Sequence, residues 1–192
     1  MATQSAQDKG SNDTVYVTKR PGLKLYDNLS ATSSDVGRGI TNWEGRVYTI
    51  LGAEVFSDES NILDLSTSTG RLSGFDIAND AEAPAEDTLV FHDGSTIYAI
   101  DDENTMLKIG DEAGDDIDLE IAAFVPGIQV IGTYTFVADS IGNIYNSEVG
   151  DVSSWSEAAL TAPSTNMELR ADAAVALGKY IQYLVGFGEE TT

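Results

Sequence analysis

Short runs of alternating or β-branched residues, separated by glycine, asparagine and aspartate, recur along most of the chain. Such runs predict β-strands, because successive side chains of a strand face opposite sides of a sheet. The clearest runs are residues 15–18 (VYVT), 45–51 (GRVYTIL), 87–91 (DTLVF), 96–100 (TIYAI), 129–137 (QVIGTYTFV) and 180–185 (YIQYLV). The pattern therefore predicts an all-β fold.

Helical periodicity is nearly absent from the sequence. The best candidate is the segment 167–177 (MELRADAAVAL), which has Asn166 as a possible N-cap and Gly178 as a stop signal. We expect at most one short helix, and this segment could equally be an irregular connection between two strands.

The N-terminal residues differ in composition from the rest of the chain. Residues 1–14 are rich in Gln, Ser, Asp and Asn without any apolar period, which predicts a flexible arm. They contain no apolar signal core, and no later run approaches the roughly 18 apolar residues of a membrane-spanning helix. We expect one β-domain over residues 15–192, no membrane segment and no visible export signal.

A glycine turn followed by a strand that carries a tyrosine occurs three times. The units are residues 42–50, 91–100 and 138–145, in which Gly45, Gly94 and Gly142 precede Tyr48, Tyr98 and Tyr145. Each unit predicts a hairpin, because a polar residue with glycine supplies the positive φ of a tight turn.

The period of these units, about 50 residues with about four strands each, is the size of a β-propeller blade. A fourth unit begins at Lys179 and the chain ends at Thr192 before that hairpin is expected to close. We therefore expect propeller-like blades in an incomplete ring, whose edges are covered by further blades beyond the chain end or by neighbouring chains. A sandwich with repeated hairpins is the alternative, because hairpin chemistry alone can generate weak repeats.

Charge restricts the partners of the protein. The 192 residues include 32 acidic and 10 basic ones, which gives a formal charge of -22 and disfavours binding to phosphate backbones. Aspartate outnumbers glutamate and only five residues are lysine. Such a surface is favoured in saline media, where counter-ions screen repulsion, although a viral or secreted protein that is merely acidic fits equally well.

Few residues of the chain belong to the types that most often act as nucleophiles, bases or metal ligands. Cysteine is absent and His92 is the single histidine, so thiolate catalysis, sulfur-ligated zinc sites and paired-histidine metal sites are excluded within the chain, and a carboxylate metal site or a lone histidine base remains. His92 could serve as a lone base, but it lies in a predicted turn and the adjacent Asp93 points the opposite way in an extended segment. We interpret His92 as a turn residue.

Other candidate motifs also have structural explanations. The acidic clusters at 76–87, 101–104 and 111–120 lack calcium-ligand spacing and are interpreted as solvated loops. No helix pattern follows Gly37 and Gly39, as a phosphate-binding loop requires. Trp43, Trp155 and the tyrosines could form a sugar-stacking platform, but aromatic residues of hairpins mostly pack in the core. We assign no catalytic, cofactor-binding or metal-binding residue and expect a protein that is not an enzyme.

The order of motifs resembles the start of a known family. The relevant residues are a Pro21-Gly22 strand at 15–24, the segments 37–40, 45–48 and 55–56, a Ser/Trp loop at 151–157, and the final strand with its Phe-Gly and Thr-rich turn at 179–192. Together they resemble the packaged-DNA stabilisation proteins of short-tailed bacteriophages, also called tail hub or nozzle proteins. The resemblance spans most of residues 15–192.

The resemblance implies a structural protein of the virion tail, made in the host cytoplasm. Members of that family form a sixfold ring of propeller-like subunits that continues the DNA channel, retains the packaged genome and guides its ejection. By resemblance we expect self-association in a ring, which the family implies is a hexamer. We also expect contacts with neighbouring tail proteins such as adaptor, fibre or needle proteins, and DNA that passes without tight binding. The alternatives are a carbohydrate-binding or carbohydrate-cleaving β-protein and a receptor-binding surface module.

Overall fold

The computed structural model describes residues 36–58, 60–80, 86–109, 123–155, 165–166 and 173–189. These residues form strands and turns, and no helix occurs among them. The strands are β1 (Gly37–Trp43), β2 (Arg46–Leu51), β3 (Glu54–Ser57), β4 (Ser60–Asp64), β5 (Asp76–Asp80), β6 (Glu86–His92), β7 (Ile97–Ile100), β8 (Met106–Ile109), β9 (Gln129–Ile131), β10 (Tyr134–Ala138), β11 (Asn143–Asn146), β12 (Thr165–Asn166), β13 (Ala174–Tyr180) and β14 (Tyr183–Gly188). The prediction of an all-β fold is confirmed.

The strands form four small antiparallel sheets. Sheet 1 has the order β1-β2-β3-β4, sheet 2 the order β5-β6-β7-β8, and sheet 3 the order β12-β11-β10-β9, while sheet 4 is the hairpin β13-β14. Each of the first three sheets is therefore a meander in which strands pair with their neighbours in sequence. None of the four sheets closes on itself. Four strands per unit agrees with the sequence analysis.

Consecutive sheets share their apolar cores. Core 1 lies between sheets 1 and 2, core 2 between sheets 2 and 3, and core 3 between sheets 3 and 4. Their members include Tyr48 and Phe91 in core 1, Val90 and Val137 in core 2, and Ala138 and Leu177 in core 3. The described sheets are thus stacked face to face in chain order, and sheet 2 supplies one face to each of two cores.

The three predicted glycine turns are present, but they do not occupy equivalent positions. The units at 91–100 and 138–145 form the β6–β7 and β10–β11 hairpins, which are the second hairpins of their sheets. The unit at 42–50 forms the β1–β2 hairpin, which is the first of its sheet. The prediction that the first unit is equivalent to the other two is therefore wrong. Any tight hairpin needs the same turn chemistry, so the local pattern does not distinguish a first hairpin from a second one.

The candidate helix is wrong over its C-terminal part. Ala174–Tyr180 is strand β13, paired with β14, and Asn166 lies in strand β12 rather than at a helix N-cap. The alanine-rich run favours a helix only weakly, and burial of Ala174 and Leu177 against sheet 3 outweighs that preference. Residues 167–172 lie outside the described part of the chain.

Two predicted strands are hairpins. Residues 129–137 contain β9, a turn at Gly132 and Thr133, and part of β10. Residues 180–185 contain the turn between β13 and β14. The predicted arm at residues 1–14 and the predicted strand at 15–18 lie outside the described residues.

Candidate functional site

The most concentrated group of polar side chains surrounds the carboxylate of Asp93, in the turn between β6 and β7. Asp93 Oδ1 accepts hydrogen bonds from Ser95 N, Ser95 Oγ and Thr96 N, at 3.0, 2.9 and 2.9 Å. A short acidic side chain commonly closes a turn in this way, because it binds backbone N–H groups two or three residues later. Asp93 is 4% exposed. The turn is therefore fixed by a buried carboxylate.

The second oxygen of Asp93 connects sheet 2 to the segment that follows sheet 1. Asp93 Oδ2 accepts hydrogen bonds from Thr67 N and Thr67 Oγ1, both at 2.9 Å, and from Tyr98 Oη at 3.1 Å. Tyr98 Oη in turn accepts a hydrogen bond from Ser66 N at 2.6 Å. Arg38 of β1 extends the network by donating from Nη2 to Thr67 Oγ1 at 2.9 Å. These contacts hold the two sheets in register around core 1.

The turn between β10 and β11 repeats this arrangement. Asp139 Oδ1 accepts hydrogen bonds from Ile141 N and Asn143 N, and Asp139 Oδ2 accepts one from Tyr145 Oη at 2.9 Å. Asp139 is 1% exposed. The second hairpins of sheets 2 and 3 thus share a buried aspartate that binds a tyrosine of the following strand. We call each pair an aspartate–tyrosine clamp: Asp93 with Tyr98, and Asp139 with Tyr145.

The sequence analysis identified these tyrosines but not their aspartate partners. The available signal was an aspartate in the second and third glycine turns, five or six residues before the tyrosine. It was missed because the chain has 32 acidic residues, so that an aspartate near a turn is unremarkable by composition alone.

The clamps also influence the ionisation of their members. Burial tends to raise the pKa of Asp93, but hydrogen bonds donated by Ser95, Thr96 and Thr67 outweigh it and hold the pKa below the ordinary value. Burial raises the pKa of Tyr98, and the nearby Asp93 carboxylate adds to the effect. Burial and the Asp139 carboxylate raise the pKa of Tyr145. The Asp93 carboxylate therefore stays charged and the two tyrosines stay neutral, which suits stable hydrogen bonds rather than proton transfer.

His92 is the last residue of β6 and faces sheet 3, whereas it was predicted to lie in the turn itself. Its ring is 1% exposed and lies 5.1 Å from the ring of Phe124, between centroids. Its Nδ1 accepts a hydrogen bond from Gly94 N at 3.2 Å, and its Nε2 lies 3.4 Å from the carbonyl oxygen of Gly127. Because Nδ1 is an acceptor, the proton resides on Nε2 and the ring is neutral.

Burial lowers the pKa of His92 from 6.5 to about 4, although its backbone contact with Gly127 and the charge of Asp93 act in the opposite direction. None of the described hydrogen bonds joins the ring to a carboxylate or to a hydroxyl nucleophile. A general base must reach the proton that it removes. The arrangement is that of a buried packing residue that joins sheet 2 to the 124–128 segment.

A charged junction links three of the sheets. Asp76 Oδ2 of β5 accepts hydrogen bonds from Val130 N of β9 at 2.7 Å and from Lys179 Nζ of β13 at 3.1 Å. Lys179 Nζ also donates to the carbonyl oxygen of Val130 at 2.9 Å. The ion pair is about one-third exposed, so its own contribution is small, but its geometry connects sheets 2, 3 and 4.

The acidic clusters have different structural roles. Residues 101–104 lie in the β7–β8 turn, in agreement with their interpretation as a loop. Asp101 Oδ1 accepts a hydrogen bond there from Thr105 N at 2.7 Å. The cluster at 76–87 was interpreted as a loop, which is wrong at both of its ends. Asp76–Asp80 and Glu86–His92 pair there as β5 and β6. Residues 111–120 lie outside the described part of the chain.

The glycine and tryptophan candidates are structural where they are described. Gly37 and Gly39 lie within β1, in extended backbone rather than a phosphate-binding loop. Trp43 and Trp155 are 5% and 3% exposed and belong to cores 1 and 2. The two tryptophans therefore do not form a sugar-stacking surface.

Within the described ranges, no group of three or more histidine, aspartate or glutamate side chains is arranged to hold a metal ion. The described part of the chain also contains no helix of the length and apolarity needed to span a membrane.

Comparisons with known proteins add no assignment. No protein-family model matches the chain, and no similar sequence is found among curated proteins.

Proposed function

We propose that the protein is a non-enzymatic, ring-forming structural component of a virion tail, of the hub or nozzle type, and that it encloses the channel through which packaged DNA leaves. In this proposal the four-stranded sheets are propeller-like blades. The protein associates with further copies of itself and with neighbouring tail proteins. The genome passes through the ring without being bound tightly.

The observation that carries the proposal is the stacking of consecutive sheets on shared cores. Sheets 1, 2 and 3 are four-stranded meanders, and each packs against the next one in the chain. Propeller blades have this topology and pack in this order. The described stack is open, and a ring would be completed by further blades or by other chains that cover its first and last sheets.

The polar clusters support a structural role. The buried carboxylates of Asp93 and Asp139 are occupied by hydrogen bonds within their own turns and to neighbouring strands. The single histidine is buried and neutral. A hydrolase needs an accessible acid, base or nucleophile near its substrate. Asp93 and His92 instead connect sheet 2 to neighbouring segments, and Asp139 fixes its own hairpin in sheet 3.

The charge of the chain supports passage of DNA rather than capture. With 32 acidic and 10 basic residues, the protein repels a polyanion at moderate ionic strength. A lumen rich in Lys and Arg would bind phosphates and release counter-ions, which would slow sliding. The DNA is then confined by the shape of the ring and by neighbouring chains rather than by attraction to basic residues.

The test combines electron microscopy of the purified protein with a DNA-binding titration. We expect closed rings with a central channel, and no measurable binding of a fluorescently labelled duplex at low or at physiological salt. A basic DNA-binding protein in the same titration establishes the sensitivity of the assay.

A monomer that cleaves or binds glycans would contradict the proposed function. Rings that bind duplex DNA at micromolar or lower concentration, with strong salt dependence, would contradict the proposal that DNA passes without tight binding. They would not contradict the proposal that the protein forms a ring.

A further inference from the structure

A short segment that lies outside the named strands connects three of the described sheets. It comprises residues 123–128 (AFVPGI), and we call it the strap. Its backbone donates hydrogen bonds to the carbonyl oxygens of Gly94 and Ala138, both at 2.9 Å, and accepts one from Leu177 N at 2.8 Å. These partners lie in the β6–β7 turn, in β10 and in β13, respectively. The strap is therefore bound to sheets 2, 3 and 4 through its backbone.

Side chains of the strap also pack in two cores. Phe124 and Ile128 pack in core 2, whereas Val125 packs in core 3 together with Leu177 of β13. Gly127 lies so close to Leu177 that a Cβ on Gly127 would overlap the Leu177 carbonyl oxygen. The contact between sheets 3 and 4 therefore includes the strap, and displacement of the strap would weaken core 3.

His92 contacts both the strap and the β6–β7 turn. Its Nδ1 accepts a hydrogen bond from Gly94 N at 3.2 Å, and its Nε2 lies 3.4 Å from the carbonyl oxygen of Gly127. The ring of Phe124 lies against the imidazole, with 5.1 Å between the two centroids. His92 thus contacts two strap residues, and it is almost completely shielded from water.

The site of His92 accommodates the neutral ring but not the protonated one. A protonated imidazole carries N–H donors on both nitrogens, so Nδ1–H would face the N–H of Gly94, and neither group could accept a hydrogen bond. A buried cation also loses the hydration that it has in water. Burial accordingly lowers the pKa of His92 to about 4. Protonation therefore favours a state in which the ring reaches water.

The strap is less firmly held than the β6–β7 turn, which also contacts the ring. Asp93 braces the turn, because its carboxylate oxygens accept hydrogen bonds from Ser95, Thr96 and Thr67. The strap has no equivalent brace, because residues 123–128 carry no polar side chain. We therefore expect a protonated ring to displace the strap and to leave the turn in place.

Other charged groups lie on the elements around His92. They include Asp93 in the β6–β7 turn, Arg71 before β5, Asp76 on β5, Asp139 after β10 and Lys179 on β13. The charge of Asp93 favours the protonated ring, but burial outweighs it. Asp76 is paired with Lys179, and Asp139 is bound by Tyr145. The carboxylates of Asp76 and Asp139 are the alternatives to His92 that an experiment must exclude.

We propose that the strap and His92 form an acid-sensitive latch that holds sheet 4 on sheet 3. At neutral pH the neutral ring fills its site, and the strap stays closed on β13. In mild acid the ring takes up a proton and leaves its site, the strap opens, and β13 loses its hydrogen bond to Pro126 O while sheets 1 and 2 remain packed on core 1. The latch is a property of the fold and does not depend on the proposed function.

Thiol labelling tests the latch in the full chain. The chain contains no cysteine, so a single introduced cysteine reports the opening of one place. Val125→Cys lies in the strap and Ala174→Cys in β13, both at buried positions of core 3, and Val55→Cys in core 1 is the reference. The rate at which each thiol reacts with a dithiodipyridine reagent is divided by the rate of the same variant unfolded at the same pH. We call this quotient the labelling ratio, and it measures how often the site opens.

We expect the labelling ratio of Val125→Cys and Ala174→Cys to rise roughly twentyfold between about pH 7 and about pH 5. The reason is that the pKa of His92 is about 4 when the strap is closed and 6.5 when the ring is free. At both pH values Val55→Cys should react more slowly and with a stronger dependence on urea, because core 1 should open only when the whole protein unfolds.

Further substitutions assign the effect to one group. In the Val125→Cys background, His92→Gln should abolish the twentyfold change, because its amide does not titrate. Asp76→Asn and Asp139→Asn are the matched controls and should retain the change, because each removes a titratable carboxylate and leaves the His92 ring in place. Circular dichroism verifies that each variant is folded.

The native ring provides a second measurement that needs no substitution. Because His92 is the single histidine, the imidazole signals in an NMR spectrum of the chain belong to it. At about pH 7 we expect a neutral ring with its proton on Nε2, and we expect the ring of the folded chain to titrate well below 6.5.

Other results would overturn the latch. Labelling ratios that do not change with pH would do so, as would a change of equal size in His92→Gln. Equal ratios with equal urea dependence at all three cysteine positions would mean that the protein opens as a whole. A ring that titrates near 6.5 in the folded chain would show that the strap does not hold it neutral. Loss of the change in Asp76→Asn or Asp139→Asn, with retention in His92→Gln, would assign the acid sensitivity to that carboxylate.

Discussion

At the scale of single residues, several aspartate side chains fix the turns of the protein. Asp93, Asp139 and Asp151 each accept hydrogen bonds from backbone N–H groups in their own turns, and the first two are buried. These carboxylates replace the water that their turns would otherwise need. The acidity of the chain is therefore partly a requirement of its turns.

The buried His92 makes the protein sensitive to mild acid. Its pKa is 6.5 when unfolded and about 4 when folded, so the unfolded chain takes up a proton first as the pH falls. The stability contributed by the neutral ring is complete above about pH 6.5 and is lost towards pH 4. We expect the free energy of unfolding, measured by urea denaturation, to fall by about 2 kcal/mol between about pH 7 and about pH 5.

His92→Gln is the control for this effect, because its amide retains a donor near the position of Nε2 but does not titrate. The variant should lose most of the pH dependence in this interval. An equal pH dependence in both proteins would assign the acid sensitivity to other groups.

Ile181 is a site of backbone strain. Its φ is 58°, a left-handed conformation that β-branched residues strongly disfavour, and its side chain is 74% exposed. Ile181→Asn should relieve the strain without loss of buried area and raise the free energy of unfolding by about 1 kcal/mol. Glu44→Asn, in the β1–β2 turn where Glu44 has a φ of 49°, should gain less stability because Glu is not β-branched. An unchanged or lower stability of Ile181→Asn would contradict this account.

At the scale of elements, local sequence patterns predicted where hairpins occur better than they predicted which hairpins occupy equivalent positions in different sheets. Strands β6 and β7 were predicted closely, because a polar glycine turn separates two runs of β-branched and aromatic residues. The β13–β14 hairpin was read as a strand preceded by a possible helix, because its turn contains Ile181 and no glycine. The clamps were missed because their partners are identified by burial and distance, which composition does not supply.

Gly127 sets the approach of sheet 4 to sheet 3. Its φ is 118°, and a Cβ at this position would overlap the carbonyl oxygen of Leu177. The adjacent Pro126 oxygen accepts a hydrogen bond from Leu177 N at 2.8 Å, so the two backbones are in direct contact. We expect Gly127→Ala to lower the free energy of unfolding by about 3 kcal/mol, through both strain and displacement of β13.

Gly132→Ala separates these two causes. Gly132 also has a positive φ, 64°, but a Cβ there would meet nothing within 4 Å. Gly132→Ala should lower the free energy of unfolding by only about 1 kcal/mol in the same denaturation experiment. Equal losses in the two variants would mean that the close approach to Leu177 has no energetic importance.

At the scale of the whole molecule, the surplus of acidic over basic residues opposes a compact state. An increase of NaCl from about 0.1 M to above about 1 M shortens the Debye length from about 10 Å to about 3 Å and should raise the melting temperature. The increase should shrink near pH 4, where many carboxylates are protonated. A melting temperature that is flat or falls with salt at neutral pH would show that self-repulsion is not limiting.

The pairwise sharing of cores also determines how amide protons exchange with solvent. A sheet that contributes to two cores opens only when both are disrupted, whereas an end sheet needs to leave only one. Backbone amides of β6 and β7 in sheet 2 and of β10 in sheet 3 should therefore exchange most slowly, and those of β13 and β14 should exchange among the fastest of the paired strands. Sheet 4 can then detach transiently and return while the other described sheets stay folded, which gives sheet 4 a separate time scale of motion.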